Sequence, residues 1–239
     1  MKKIVLPIAT SLTLGIGMLG TTAVFATNTT PDPASPDPAS AETPVTAELT
    51  LPNPDPIVPP FIDPTDPNVP GGDTDTGITG HFGIAYAPTL LSVQQELNAK
   101  GQQSIPLDNG DGVTKFNVGV RDTLRKQQDW KLSAQLTWDG NSASSMVGSK
   151  ITGTNGQVME NIDGYLKGLK DNEVTTTAAN LEISNTPVDI LETVPSKTTN
   201  AVYNYGFETP ELVIPEVSKV PAGTYSGKIT WNLAVTPNP

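Results

Sequence analysis

In the run Trp130-Lys-Leu-Ser-Ala-Gln-Leu-Thr-Trp138, apolar residues take every second position. Trp130, Leu132, Ala134, Leu136 and Trp138 fall on one side, and Lys131, Ser133, Gln135 and Thr137 fall on the other. A period of two belongs to an extended strand with one buried and one wet face. The end of the chain repeats it, with Tyr225, Ile229, Trp231, Leu233 and Val235 set against Lys228, Thr230 and Asn232. Stretches at 82–86, 116–120, 180–183 and 211–214 read as further strands, with turn-forming residues at 108–112, 139–140 and 155–156 between them. Two stretches predict short helices. In 90–100, Leu90, Val93 and Leu97 align at helical spacing, and 161–170 is a second candidate. The expected fold is mainly β, a β-sandwich-like domain with one or two short helices at its rim.

Composition divides the chain before that domain. Lys2 and Lys3 precede an uncharged segment from Ile4 to Val24 that ends in Val24-Phe25-Ala26. That layout predicts a secretory signal peptide, residues 1–26, cleaved after Ala26. An uncleaved membrane anchor is the competing reading, disfavoured by Pro7, the interspersed Gly and Thr and the cleavage site. Residues 27–77 hold thirteen of the 23 prolines and nine acidic residues, with no Lys or Arg. Pro31-Asp-Pro-Ala-Ser35 recurs as Pro36-Asp-Pro-Ala-Ser40. Proline fixes φ and removes donors, and uncompensated charge with little apolar content builds no core. The expectation is a disordered, acidic Pro/Asp-rich spacer over 27–77, reaching about 150 Å at ~3.1 Å per residue. It would carry a folded module away from the cell, or serve as a leader with no role beyond its length. Residues 78–239 remain as one domain, long enough to bury roughly 70% of its unfolded surface.

The chain has no cysteine, so disulfides, thiolate metal sites and a lipid-bearing cysteine are all excluded. It ends at Pro239 without an apolar tail and basic terminus, so no sortase attachment is expected, and Leu51-Pro52-Asn53-Pro54 lies too far inside to serve as its signal. A formal net charge of −11 with no Lys/Arg cluster argues against nucleic acid and against anionic lipid. No second apolar run of spanning length predicts membrane insertion once the signal is removed.

Catalytic readings find little support. His81 is the single histidine, no Gly-x-Ser-x-Gly occurs, and one histidine cannot build a multi-histidine metal site. Paired carboxylates could cleave wall glycan, yet the acidic residues fall mostly in turns and on polar strand faces. Asp108, Asn109 and Asp111 fail the calcium-loop pattern and read as a turn. No catalytic residue, metal or cofactor is expected.

Three sequence elements resemble the WxL family of Gram-positive cell-surface proteins. Asn117-Val-Gly-Val-Arg-Asp122 leads into Asp129-Trp-Lys-Leu132, as a Val-x-Asp element precedes the first Trp-x-Leu in that family. Ala222-Gly-Thr-Tyr-Ser-Gly-Lys-Ile-Thr-Trp-Asn-Leu233 is similar to the family's terminal pattern. The stretch Gly83 to Pro88 resembles its first strand more loosely, and Asp129 stands where a Gly is often found. The resemblance covers most of 78–239. It implies a secreted protein held non-covalently on the cell wall, with peptidoglycan or another wall polymer as partner. It also implies a second role, as a structural subunit working with a partner surface protein that mediates wall attachment or host adhesion. Candidate binding residues are Trp130, Leu132, Trp231, Leu233 and Tyr225. Indoles at alternate positions could stack on the apolar face of a sugar, but a regular apolar row more often packs a core, and the structural reading of both tryptophans is favoured. The binding surface would then be the neighbouring loops.

Overall fold

The computed structural model describes residues 40, 42–63, 65–69 and 71–236. The expected signal peptide, and residues 27–39 of the expected spacer, lie outside the described residues. The chain divides into two units after Leu49. In the first, residues 42–49 are exposed and carry neither helix nor strand. The second unit, Thr50–Pro239, contains the elements that follow.

The strands are β1 (Asp73–Asp75), β2 (Phe82–Pro88), β3 (Gln103–Pro106), β4 (Lys115–Asp122), β5 (Trp130–Trp138) and β6 (Lys150–Ile162). They continue with β7 (Tyr165–Lys167), β8 (Val174–Thr175), β9 (Leu181–Ile183), β10 (Val188–Thr193), β11 (Ala201–Ile214) and β12 (Gly227–Val235). One helical turn, α1 (Ser142–Ser145), and a 3-10 turn, Val217–Lys219, accompany them. The larger sheet runs β1-β2-β4-β11-β6-β7, with β3 also on β11 and β9 also on β6. The smaller runs β12-β5-β10-β8. Pairing is antiparallel throughout the described ladders.

The larger sheet curls because β11 changes partner along its length. Ala201–Glu208 pairs with β4, and Glu211–Ile214 pairs with β3. Between them Thr209 takes φ +45°, while β6 carries Asn155 at φ +55° and the register between the two strands shifts. Irregularities of this kind bend a strand and increase its twist. The bend is tied by Thr154 and Thr209, whose hydroxyls lie 2.7 Å apart, and by Asn155 Nδ2, which donates to Glu208 Oε2 at 2.8 Å.

Period-two alternation then sorts the side chains. Phe116, Val118 and Val120 of β4 join Tyr203, Tyr205 and Phe207 of β11 in one apolar cluster with Trp130, Leu132, Ala134 and Leu136 of β5. A register shift in β10 between Asp189 and Leu191 lets the consecutive residues Ile190 and Leu191 both be buried in it. Asn117, Gly119 and Arg121 point to the opposite face of β4. There Tyr86 lies over Gly119 so closely that a Cβ would come 2.3 Å from its Cζ. The Tyr86 hydroxyl donates to Asn204 Oδ1 at 2.9 Å, and Asn204 Nδ2 donates to Asn117 Oδ1 at 3.0 Å.

Part of the stretch read as spacer packs on this second face. Pro60 is buried, Phe61 N donates to Gly164 O at 2.9 Å, and the Phe61 and Tyr165 rings meet edge-on at 5.1 Å. A proline-rich strap has few N–H groups, so it is held by its carbonyls. Asn161 Nδ2 donates to Val58 O at 2.8 Å, and Arg121 Nη2 donates to Asp55 O. Further on, β1 pairs with β2. Few apolar residues lie among the prolines and aspartates here, and the sheet supplies the donors and the partner strand.

Both helices expected from the sequence are corrected. Residues 90–100 contain no helix and instead form an isolated bridge between Ser92 and Asp108. Leu91 and Leu97 pack on the core while Leu90 and Val93 are exposed, so the aligned stripe is never buried as one face. Residues 161–170 hold the end of β6 and all of β7, joined by Asp163-Gly164 with φ +51° and +86°. Asp-Gly is the preferred two-residue hairpin turn, and it decides this segment against a helix.

Candidate functional site

The two Trp-x-Leu triplets lie side by side. β12 pairs with β5 along its whole length, so Leu233 sits opposite Leu132, Trp231 opposite Ala134, and Val235 opposite Trp130. Antiparallel pairing places the two leucines face to face and sets the indoles on either side of that pair, Trp130 at the end of the ladder and Trp231 at its middle. Each Trp has a smaller neighbour across the strand, which leaves room for the ring.

Trp130 is fully buried, at 0% exposure. Its Nε1 donates to Asp122 Oδ2 at 2.9 Å, and Thr199 Oγ1 donates to the same oxygen at 2.6 Å. Leu124 N donates to Asp122 Oδ1 at 3.2 Å. The carboxylate is itself at 0% exposure and has these donors in place of a cation. The indole ring lies 6.0 Å from Tyr203 and 6.4 Å from Phe82, tilted about 50° to each. Trp130 N donates to Thr193 Oγ1 at 3.0 Å, which fixes the start of β5. With no exposed surface, neither Trp130 nor Leu132 can touch a ligand in this conformation.

Trp231, Leu233, Ile229 and Tyr225 are half-buried and pack on the rim of the core. Among the described residues β12 is the outer strand of its sheet, and its far edge pairs with nothing. Tyr225 donates its hydroxyl to Pro221 O, and Trp138 Nε1 donates to Ser149 Oγ at 2.8 Å. Asn109 Oδ1 accepts from Asp111 N and Val113 N at 2.9 and 3.0 Å, so that oxygen serves the turn.

Two features went unassigned in the sequence. Asp122 is in phase with Phe116, Val118 and Val120, so a carboxylate on an apolar row was the available signal for a buried hydrogen-bond acceptor. Arg121, one residue earlier, faces the other way and is only 3% exposed. Nη1 donates to Gly80 O at 3.2 Å and Nη2 to Asp55 O. Burial pulls its pKa below the ordinary guanidinium value, and Asp75 and Asp55 partly oppose this from a distance. Arg121 lines a cleft of about 360 Å³ between the strap and the sheet, with Ile57, His81, Glu160, Ile162 and Asn200 among its walls. Nearby, Asp73 accepts from Asn117 N and Nδ2, each at 2.8 Å. Burial nevertheless pushes its carboxyl up to about 6, against those two donors.

A family model described as "WxL domain surface cell wall-binding" matches residues 27–237. No curated protein and no solved structure matches the chain.

Proposed function

This chain belongs to the WxL family of surface cell wall-binding domains, and on that premise we propose that it binds peptidoglycan non-covalently. Its place is the cell surface and wall. The match over residues 27–237 carries this reading. In it, residues 1–26 are removed on export, residues 27–49 act as a spacer, and the folded unit binds without catalysing. The buried triplet at Trp130 and Leu132 organises the domain, and the contact surface lies elsewhere. Among the described residues no helix is long and apolar enough to cross a membrane.

Purified sacculi free of protein test it. The exported protein should sediment with them and be released by a chaotrope while the glycan stays intact. A suspension that clears would show hydrolysis and overturn the non-catalytic reading. A second reading rests on the open edge of β12, where unpaired backbone groups could take a strand from a partner surface protein. In that case the protein sediments with bare sacculi only after the partner is added.

A further inference from the structure

We infer that the cleft beneath the 51–58 strap is a binding site for a wall glycopeptide, an N-acetylated sugar bearing a short peptide with free carboxylate and ammonium groups. This deepens the peptidoglycan reading and rests on it. Alternation along β4 creates the site, because the Asp122 side chain that holds Trp130 inward turns its neighbour Arg121 outward under the strap.

Arg121 supplies the first observation. It is 3% exposed, and none of the ion pairs among the described residues includes it. Its two hydrogen bonds go to neutral backbone carbonyls of Gly80 and Asp55. A guanidinium carries five donors, and a buried charge without a contacting counter-ion is costly. Asp75 and Asp55 attract it only from a distance, so a carboxylate entering the cleft would be its first contacting counter-ion.

Charge balance narrows the ligand. Arg121 and Arg125 line the cleft together with the acidic residues Asp55, Glu160 and Asp163. That mixture repels a polyphosphate chain but suits a group carrying both signs, with the acidic side chains receiving an ammonium or sugar hydroxyls. Ile57, Val58 and Ile162 add apolar wall, and Val58 and Ile162 are 37% and 39% exposed. Exposed aliphatic surface beside such polar groups fits the methyl of an acetamido group. At about 360 Å³ the cleft is at the small end of the ~300–1,000 Å³ range of ligand sites, room for a sugar ring with a short appendage.

The test titrates the isotope-labelled exported protein with disaccharide-peptides released from sacculi by a muramidase, followed by amide shifts. Shifts should gather at Asp55–Val58, Arg121 and Glu160–Asp163, while a soluble poly(glycerol phosphate) produces none. Ile162→Glu, at an exposed position, should weaken binding at least tenfold with an unchanged urea midpoint, and Arg125→Glu should weaken it less. Sedimentation with sacculi is run in parallel. Wild-type protein that sediments but shows no shifts, shifts confined to β12, or binding unaffected by Ile162→Glu would overturn the cleft and leave wall binding intact. Shifts with poly(glycerol phosphate) alone would overturn the assigned ligand class. Wild-type protein that fails to sediment overturns the wall reading and the cleft with it.

Discussion

Replacing Asp122 by alanine tests whether the first Trp-x-Leu motif works as a buried hydrogen-bonded unit. Three donors lose their acceptor: Trp130 Nε1, Thr199 Oγ1 and Leu124 N. A buried donor left without a partner costs about 1–3 kcal/mol. Thr199 can recover, since its hydroxyl already lies 3.4 Å from Lys126 O and is free to rotate. The indole cannot, because Tyr203 and Phe82 hold its ring. Removing a buried carboxylate returns some desolvation energy, and the deleted atoms leave a small cavity. The balance predicts a loss of about 3 kcal/mol for Asp122→Ala. Asp122→Asn keeps an oxygen for the indole and should lose only about 1 kcal/mol.

Urea unfolding followed by tryptophan fluorescence and near-UV circular dichroism measures both. With a slope of roughly 2–3 kcal/mol/M, Asp122→Ala should lower the midpoint by about 1 M. Trp130→Phe removes the same N–H while keeping an aromatic ring, so the double variant should lose less than the sum of the single ones, with coupling of about 1 kcal/mol or more. Two results would refute this reasoning: a loss under about 0.5 kcal/mol for Asp122→Ala, or full additivity with Trp130→Phe.

Three other outcomes follow from the geometry. Asp73 has a folded pKa of about 6 against 3.8 for the free carboxyl, so the folded state binds the proton more tightly. Stability from this group is fully present below pH 3.8 and is lost as pH rises through about 6, by at most ~3 kcal/mol. Asp73→Asn should flatten that part of a pH series of melting curves. Gly119→Ala sets a Cβ 2.3 Å from Tyr86 Cζ, forcing the ring off its bonds to Asn204 and Asn161. It should cost about 3 kcal/mol and lower Tm by roughly 10 °C in calorimetry. Trp231→Ala should lose about 2 kcal/mol against 3–5 for Trp130→Ala, because Trp231 is only half-buried. It should still sediment with sacculi, and loss of binding in the folded variant would return that indole to the contact surface.

What was legible in the sequence was what neighbouring residues encode. Trp130 to Trp138 shows its alternation within nine residues, and β5 and β12 were read as strands on that ground. The pairing of Leu132 with Leu233 spans a hundred positions, and no local pattern states it. No helix forms at 90–100 because three apolar residues at helical spacing say nothing of whether one surface will cover them all. The strap is not legible in the sequence for the converse reason. Its prolines and aspartates form no structure by themselves, and only Arg121 and Asn161, far along the chain, supply the donors that fix Asp55 and Val58.

The Trp-x-Leu spacing could not decide between core and sugar-stacking surface, since both need an indole and a leucine on one side of a strand. Phase decides it. Phe116, Val118, Val120 and Asp122 form one row, and a carboxylate at the end of such a row is tolerable only where donors converge on it. A sugar-stacking indole needs an open face and has no use for a buried acceptor under its N–H. Asp122, eight residues before Trp130 and sharing its burial, is therefore the residue that assigns the first motif to structure. β12 is the outer strand of its sheet, and among the described hydrogen bonds Trp231 has no equivalent acceptor. The two copies of one triplet thus diverge: the inner copy is buried in the core, and the outer copy lies half-buried on the edge strand of the same sheet.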